Sequence, residues 1–214
     1  MKNLKFLLIQ ITSIAFLTIL FSCEKENINK FTESEDAYLS LKVNNTQNKS
    51  ADLRPVVNGS NFRRFYIDAN GDGHTDLVAI KTRNTGTRST EIHVIDGKSK
   101  FTKFSIQTGT ALHETNSDWD FLPAVTRRGG KFGLQIFAIK KRRTGTNKTE
   151  IHVLSQNYYY FSRFTYQLGT FLHKTDASYQ FKIKGVQHNN FLYDINVFKN
   201  GRFYALLKAR NLYR

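Results

Sequence analysis

Thr85-Gly-Thr-Arg-Ser-Thr-Glu-Ile-His-Val94 returns 59 residues later as Thr144-Gly-Thr-Asn-Lys-Thr-Glu-Ile-His-Val153. A second phrase, Gln107-Thr-Gly-Thr-Ala-Leu-His-Glu-Thr115, returns 60 residues later as Gln167-Leu-Gly-Thr-Phe-Leu-His-Lys-Thr175. A period of this length is typical of a supersecondary unit that stacks on copies of itself. The sequence therefore predicts a domain built from repeated units.

The repeat also sets the extent of the predicted domain. Asp76-Leu-Val-Ala-Ile-Lys81 is echoed by Gln135-Ile-Phe-Ala-Ile-Lys140 and more faintly by Asp194-Ile-Asn-Val-Phe-Lys199. We therefore predict two nearly complete units and a degenerate third, over residues 62–123, 124–183 and 184–214. Together, residues 62–214 form one predicted repeat domain, whose length suits a single fold.

Each unit is expected to contain four short β-strands. Leu77 to Ile80 is continuously apolar, as in a strand that is covered on both faces. Glu91 to Ile95 and Thr102 to Ile106 alternate between polar and apolar residues, and Trp119 to Pro123 supplies the expected fourth strand. We predict an all-β fold of about three β-propeller-like blades, each with four antiparallel strands, and keep a β-trefoil-like fold as the alternative.

An acidic loop precedes the first apolar strand. Asp68-Ala-Asn-Gly-Asp-Gly-His-Thr-Asp76 carries oxygen-bearing side chains at its first, third, fifth and ninth positions, a spacing suited to Ca²⁺. The predicted ligands of one structural Ca²⁺ are the side chains of Asp68, Asn70, Asp72 and Asp76 and the backbone carbonyl of His74. The loop is not an EF-hand, because Ala79 stands where the closing glutamate would be. An Asx turn without metal is the alternative.

The loop and the repeated phrases resemble the FG-GAP/VCBS repeat family, the blades of integrin-α-like β-propellers. In that family, Asp-x-Asn-Gly-Asp-Gly-x-x-Asp-Leu lies between successive blades and holds calcium. The resemblance covers residues 62–183 and implies calcium ligands at the same loop positions. The aligned stretch Arg127–Gln135 has lost every acid, so at most one loop is expected to bind metal. Three blades do not normally close a ring, so a homo-oligomer, a partner that completes the ring, or a minimal fragment is expected.

Repeated histidines and clustered tyrosines are the candidate ligand-binding residues. His93 is equivalent to His152, and His113 to His173. A residue that recurs in every unit is typical of an architectural role, and a ligand pocket that recurs in each blade is the alternative. Aromatic side chains such as Tyr158 and Tyr159 can stack on sugar rings.

The chain is strongly basic, with a formal net charge of +15 at pH 7. This charge favours an anionic partner such as phosphorylated lipid headgroups or an acidic polysaccharide, with nucleic acid the least favoured, and a solvated basic face is the alternative. The candidate polyanion-binding residues are Arg127, Arg128, Lys131, Lys140, Lys141, Arg142, Arg143 and Lys148.

The N-terminal segment resembles a bacterial lipoprotein signal. Lys2 and Lys5 precede an apolar run, and Leu20-Phe21-Ser22-Cys23 resembles a lipobox whose cysteine, the only one in the chain, is lipidated before cleavage. We predict a signal peptide over residues 1–22, a lipid on Cys23 and a polar tether over 23–61. The resemblance implies a lipid anchor in the bacterial outer membrane, facing the periplasm or the cell surface.

The sequence contains no recognised catalytic motif, neither Gly-x-Ser-x-Gly nor His-Glu-x-x-His nor a phosphate-binding loop. We therefore expect no enzyme. The predicted function is that of a non-catalytic binding module, for a glycan or cell-wall polymer. An assembly protein that completes a propeller and a basic polyanion-binding protein are the alternatives.

Overall fold

A computed structural model describes residues 57, 59–188 and 192–208 of the chain. These residues all fall in one of the two compact units of the chain, residues 51–214. The predicted signal peptide, Cys23 and most of the predicted tether lie outside the described residues. Within the described part, no helix is long and apolar enough to span a membrane.

The first two sheets have the same order of four strands. Sheet A consists of β1 (Phe62–Ile67), β2 (Asp76–Lys81), β3 (Ser89–Ile95) and β4 (Phe104–His113). Sheet B consists of β5 (Trp119–Arg128), β6 (Lys131–Lys140), β7 (Lys148–Ser155) and β8 (Phe164–His173). In both sheets each strand pairs with the next one along the chain, and every pair is antiparallel.

Sheet C has three strands within the described residues. It consists of β9 (Tyr179–His188), β10 (Leu192–Lys199) and β11 (Arg202–Leu207), again in antiparallel order. The two-residue turn between β10 and β11 is Asn200-Gly201, with φ angles of 51° and 74°. Asn-Gly is the preferred sequence for such a turn, because both positions need a left-handed backbone that matches the twist of the strands.

The described residues therefore form an all-β structure of three antiparallel sheets, none of which closes into a barrel. The prediction of an all-β class is confirmed, and so are four antiparallel strands in the first two sheets. The strand assignment at Trp119–Pro123 is wrong: these residues begin β5, the first strand of sheet B, instead of ending the first unit. The boundaries drawn at 123/124 and 183/184 fall inside β5 and β9, because a repeat fixes a period but not its starting point.

The sheets pack face to face in chain order, and each has two distinct faces. We call the face that carries Ala79 in sheet A, Ala138 in sheet B and Val197 in sheet C the front, and the opposite face the back. The back of sheet A packs on the front of sheet B, through residues that include Val78, Ile80, Leu134, Ile136 and Ala138. The back of sheet B packs on the front of sheet C, through residues that include Phe137, Ile139, Phe181, Ile195 and Val197.

Burial on both faces explains the apolar second strands. In β2, Val78 lies in the core shared with sheet B, whereas Ala79 packs with Val57 and Ile95 on the front of sheet A. Phe137, at the position of Val78 in the next unit, is fully buried. Burying a side chain of this size contributes about 1.5–3 kcal/mol. The alternating faces of three stacked sheets thus provide the main stabilising interactions of the described fold.

Candidate functional site

A glutamate and a histidine form a pair on the third strand of each of the first two sheets. The Nε2 atom of His93 lies 3.3 Å from Oε2 of Glu91, and His152 and Glu150 are separated by the same 3.3 Å. Residues two apart on a strand point to the same face, so the repeated Glu-Ile-His places both side chains on the front of the sheet. His93 and His152 are only 7% and 9% exposed.

The Thr-Gly-Thr loop is bound by the same glutamate. The backbone N–H and the hydroxyl of Thr87 donate to Oε1 of Glu91, at 3.1 and 3.0 Å. In sheet B, Thr146 donates to Oε1 of Glu150 in the same way, at 3.1 and 2.9 Å. Each glutamate therefore joins the loop before the third strand to the histidine on that strand, which accounts for the residue types of the repeated phrase.

These contacts fix the protonation states of the pair. Burial alone would raise the pKa of Glu91 and Glu150, but hydrogen bonds from the loop threonine and from the histidine hold the pKa of each below its usual range. Burial lowers the pKa of His93 and His152, against the opposing effect of the carboxylate. The lowered pKa favours the neutral imidazole, and because a carboxylate only accepts hydrogen bonds, the tautomer that binds the glutamate carries its proton on Nε2.

In sheet B, the His152 ring is enclosed by aromatic side chains. Its centroid lies 5.1 Å from that of Trp119 and 5.3 Å from that of Phe164, both with edge-to-face geometry. The side-chain amide of Gln167 donates to Nδ1 at 3.0 Å, so both ring nitrogens of His152 have partners. A neutral, enclosed ring with both nitrogens engaged is an architectural element and not an accessible ligand group.

Sheet A repeats this arrangement with one difference. The His93 ring lies between Phe62 and Phe104, with centroids 6.0 and 5.8 Å away. Among the described residues, the Nδ1 atom of His93 is buried without a hydrogen-bond partner, although Gln107 stands at the position of Gln167. The predicted residues His93 and His152 therefore have equivalent neighbours, but they lie in separate sheets and do not share a pocket.

The other repeated histidines contribute their backbone. The hydroxyl of Thr90 donates to the carbonyl of His113 and lies 3.2 Å from the hydroxyl of Thr115. Thr149 makes the same contacts with His173 and Thr175, at 2.9 and 3.1 Å. The side chains of His113 and His173 are exposed. The repeated His-x-Thr therefore closes the end of the fourth strand onto the start of the third.

A lysine over an aromatic ring is a further repeated feature, and it was not predicted from the sequence. The Lys81 ammonium lies 5.9 Å from the ring centroid of Phe62. The equivalent distances are 5.6 Å for Lys140 over Trp119 and 5.1 Å for Lys199 over Tyr179. The lysines are 59 residues apart and end the three aligned apolar segments, but the sequence did not indicate that each lies over the aromatic residue at the start of the first strand.

Most of the predicted basic cluster in Lys140–Arg143 is engaged within the protein. Lys141 is buried, with Nζ 3.1 Å from Asp120. The Nε atoms of Arg142 and Arg143 lie 2.9 and 3.1 Å from the two carboxylate oxygens of Asp118, whose side chain is almost fully buried. These pairs reduce the positive charge that this cluster presents to a polyanion.

The remaining predicted basic residues are dispersed. Arg127, Arg128 and Lys131 flank the Gly129-Gly130 turn between β5 and β6, and the Arg127 guanidinium lies 5.3 Å from the ring of Phe132. Lys148 is exposed at the start of β7. Lys148 therefore lies at the opposite end of sheet B from the turn that Arg127 and Lys131 flank.

The acidic loop joins β1 to β2 within sheet A, rather than joining successive sheets. Asp68 accepts hydrogen bonds from the amides of Gly71 (2.7 Å) and Gly73 (2.9 Å), among others. The fully buried Asp76 accepts from the amides of Ala69 (3.0 Å) and Gly97 (2.9 Å). The loop is therefore held by its own carboxylates, as in the Asx-turn alternative.

The oxygen-bearing side chains of this loop suit Ca²⁺, but they do not point to a common centre. The amide of Asp72 donates to Asn70, and the amide of His74 donates to Asp72, so these predicted ligands also bind backbone groups. Among the described residues, no group of three or more acidic, histidine or cysteine side chains is arranged to hold a metal ion. The Ca²⁺ site stays a prediction, for which the side chains would have to turn towards a common centre.

Two exposed tyrosines lie on the turn between β7 and β8. Tyr159, Tyr160 and Phe161 form a short left-handed turn with positive φ angles of 56°, 46° and 64°. Phe161 is fully buried in the core between sheets A and B, whereas Tyr159 and Tyr160 are 57% and 50% exposed. The Arg163 guanidinium lies 5.5 Å from the ring of Tyr159. Tyr158, also a predicted ligand-binding residue, is half-buried.

No protein-family model, no curated protein and no solved structure matches this chain. The FG-GAP/VCBS resemblance therefore stays a prediction, and function is inferred from the geometry of the described residues.

Proposed function

We propose that this chain is a non-catalytic binding module for a glycan or cell-wall polymer, carried at a membrane by a lipid on Cys23. In this proposal, the three sheets are successive propeller-like blades, in keeping with the FG-GAP/VCBS resemblance. The packing of each front on the preceding back supports that arrangement. The enclosed histidines, with pKa values lowered by burial, support a scaffold role for the repeated motif rather than catalysis.

The observation that carries the proposal is the exposed Tyr159–Tyr160 turn. Left-handed φ angles are unfavourable for residues other than glycine and cost about 1–3 kcal/mol each, so consecutive ones persist only when the surroundings hold them. Here the buried Phe161 is the anchor, and the turn presents two aromatic rings to solvent. Aromatic faces that are fixed in position can pack against the apolar faces of sugar rings.

The equivalent turn in sheet A has the same backbone shape but lacks the two tyrosines. Lys100 and Phe101 there have φ angles of 57° and 61°, so the left-handed shape is shared by both turns. Phe101 packs on the front of sheet A, as Phe161 packs on the front of sheet B. The tyrosines are what differs, because Ser99 and Lys100 stand at the positions of Tyr159 and Tyr160. We assign the binding surface to the tyrosines for that reason.

A glycan array followed by calorimetry tests the proposal. The full chain is applied to neutral and acidic oligosaccharides, and the best ligand is titrated against a Tyr159→Ala/Tyr160→Ala variant. We expect this variant to lose binding while keeping its unfolding midpoint. Phe171→Ala is the matched control, since Phe171 is also exposed (62%) but lies on β8, away from the turn. Binding that survives loss of both tyrosines would refute this assignment, and an array without any sugar signal would refute the function.

Assembly is a second candidate, favoured by the back of sheet C. Among the described residues, nothing packs there as sheet B packs on sheet A, and Phe203 is 62% exposed beside Phe198. A neighbouring chain that covered this face would extend the stack towards a closed ring. Sedimentation equilibrium distinguishes the two functions: a stable dimer that Phe203→Asp dissociates supports assembly, and a monomer at all concentrations excludes it.

A further inference from the structure

The third sheet departs from the first two at one set of equivalent positions. In all three sheets, a lysine at the end of the second strand lies over an aromatic ring at the start of the first strand. A ring on the third strand contacts the same aromatic residue: it is His93 in sheet A, His152 in sheet B and Tyr204 in sheet C. The Tyr179 and Tyr204 centroids are 5.6 Å apart, with edge-to-face geometry.

The residue paired with the lysine is negatively charged in sheets A and B but positively charged in sheet C. Lys81 is paired across the strands with Glu91, and Lys140 with Glu150. Lys199 is paired instead with Arg202. A carboxylate that binds the histidine and the loop is therefore replaced by a guanidinium, and two cations stand side by side at the same end of the sheet.

Among the described residues, sheet C also lacks the loop that covers these positions in the first two sheets. The Thr-Gly-Thr loops of the first two sheets fold onto Glu91 and Glu150, whereas β10 and β11 are joined by Asn200-Gly201 alone. Tyr204 is 53% exposed, in contrast to the buried histidines of the other sheets. The result is a shallow hollow of about 390 Å³ that is lined by Lys199, Asn200, Arg202, Phe203 and Tyr204.

The electrostatics of the hollow favour an anion. The Lys199 ammonium lies over the rings of Tyr179 and Tyr204, at 5.1 and 5.8 Å. A hydrogen bond and the electrostatic effect of Tyr179 raise the pKa of Lys199, so it stays charged. The nearby Asp176 is engaged by the N–H and hydroxyl of Ser178, at 2.8 and 2.6 Å. Arg202 adds a planar donor group that matches a carboxylate with two parallel hydrogen bonds.

We propose that this hollow binds a carboxylate-bearing sugar unit of an acidic polysaccharide. The ring of Tyr204 packs against the sugar, and Lys199 and Arg202 bind its carboxylate. The combination of two adjacent cations with an exposed ring favours one charged sugar residue over a nucleic acid, whose binding depends on cations spread along a backbone. This inference rests on the proposed glycan-binding function and adds a second, acidic subsite to the one at Tyr159 and Tyr160.

Calorimetry on the full chain with oligogalacturonate as the probe tests the subsite. We expect Arg202→Gln and Tyr204→Ala each to weaken binding by about tenfold or more, as loss of a charge-assisted contact or a stacking ring implies. Tyr204→Phe is the control that keeps the ring, and it should bind as the wild type does. The methyl ester of the same oligosaccharide, which lacks the carboxylates, should bind about tenfold more weakly.

The outcomes separate this inference from the proposed function. If a neutral glycan binds through Tyr159 and Tyr160 while Arg202→Gln leaves oligogalacturonate binding unchanged, the acidic subsite is refuted and the function stands. If no sugar binds, both are refuted. If polyphosphate or single-stranded DNA binds as tightly and is equally sensitive to Arg202→Gln, the hollow is a general anion site and the sugar assignment is refuted.

Discussion

Gln167 donates a hydrogen bond from its side-chain amide to Nδ1 of His152, at 3.0 Å. This bond is the last in a series of hydrogen bonds that links Thr146, Glu150 and the ring of His152. In sheet A the corresponding histidine, His93, has no partner at Nδ1 within the described part of the chain. The two copies of the motif therefore differ in the hydrogen bond at Nδ1, so comparing them tests how much this bond contributes to stability.

Truncating the two glutamines should have unequal effects on stability. Gln167→Ala removes the partner of a buried ring nitrogen and should lower the free energy of unfolding by about 1 kcal/mol. Gln107→Ala, at the equivalent position in sheet A, should be close to neutral because, among the described residues, Nδ1 of His93 has no hydrogen-bond partner to lose. Urea denaturation of both variants measures the difference. Equal losses would mean that the bond to His152 contributes nothing.

The buried histidines should make the domain less stable in mild acid. The pKa values of His93 and His152 are lowered from 6.5 by burial, so the unfolded chain takes up these protons at a higher pH than the folded one. The contribution of the neutral rings to the free energy of unfolding is complete above about pH 6.5. It is lost as the pH falls through the lower pKa values that these histidines have in the folded state. The lowered pKa values of Glu91 and Glu150 add a further loss below about pH 4.5.

Denaturation curves between pH 7.5 and 5 check this prediction. The His93→Gln/His152→Gln variant is the control, since it cannot take up these two protons. Its stability should change less over the same interval than that of the wild type. Parallel curves for the two proteins would contradict the role assigned to the histidines.

The sequence could predict the period and strand type but not the environment of each face. Apolar runs such as Leu77–Ile80 indicated strands covered on both sides, and the sheets confirm it. Glu-Ile-His showed that Glu150 and His152 share a face, but nothing local shows that sheet A covers that face. His152 was also a candidate ligand residue, although Trp119 and Phe164, on the two outer strands of the same sheet, enclose its ring. Packing between sheets depends on residues far apart in the chain.

Asp76 should be the most sensitive residue of the acidic loop. Its carboxylate is fully buried and accepts hydrogen bonds from the amides of Ala69 and Gly97. Asp76→Ala leaves both amides without a partner, and we expect a loss of about 2–5 kcal/mol in the free energy of unfolding. Asp76→Asn keeps one accepting oxygen and should lose less. Chemical denaturation measures both, and an Asp76→Ala variant as stable as the wild type would contradict this role.

Calcium binding to the acidic loop can be tested apart from its folding. Asp72→Asn keeps an oxygen that accepts the His74 amide but removes one charge from an exposed side chain. If Ca²⁺ binds the folded loop, a hundredfold excess over its dissociation constant stabilises the wild type by about 2.7 kcal/mol. We expect a rise in the unfolding midpoint with Ca²⁺ that is lost in Asp72→Asn. Identical wild-type midpoints in Ca²⁺ and in chelator would refute the site.

Releasing Arg142 and Arg143 should increase the affinity for polyanions. Both guanidiniums are engaged by Asp118, so Asp118→Asn removes the charge that neutralises them. Each cation that becomes available displaces counterions from a polyanion, so elution from heparin should require more salt. The affinity should also fall more steeply with salt concentration, by the equivalent of about one or two ionic contacts. Glu114→Gln changes the net charge equally but lies away from these arginines, and accepts hydrogen bonds from Thr85 instead. A shift that is the same in both variants would show that net charge alone governs binding, and that the internal pairs do not limit this surface.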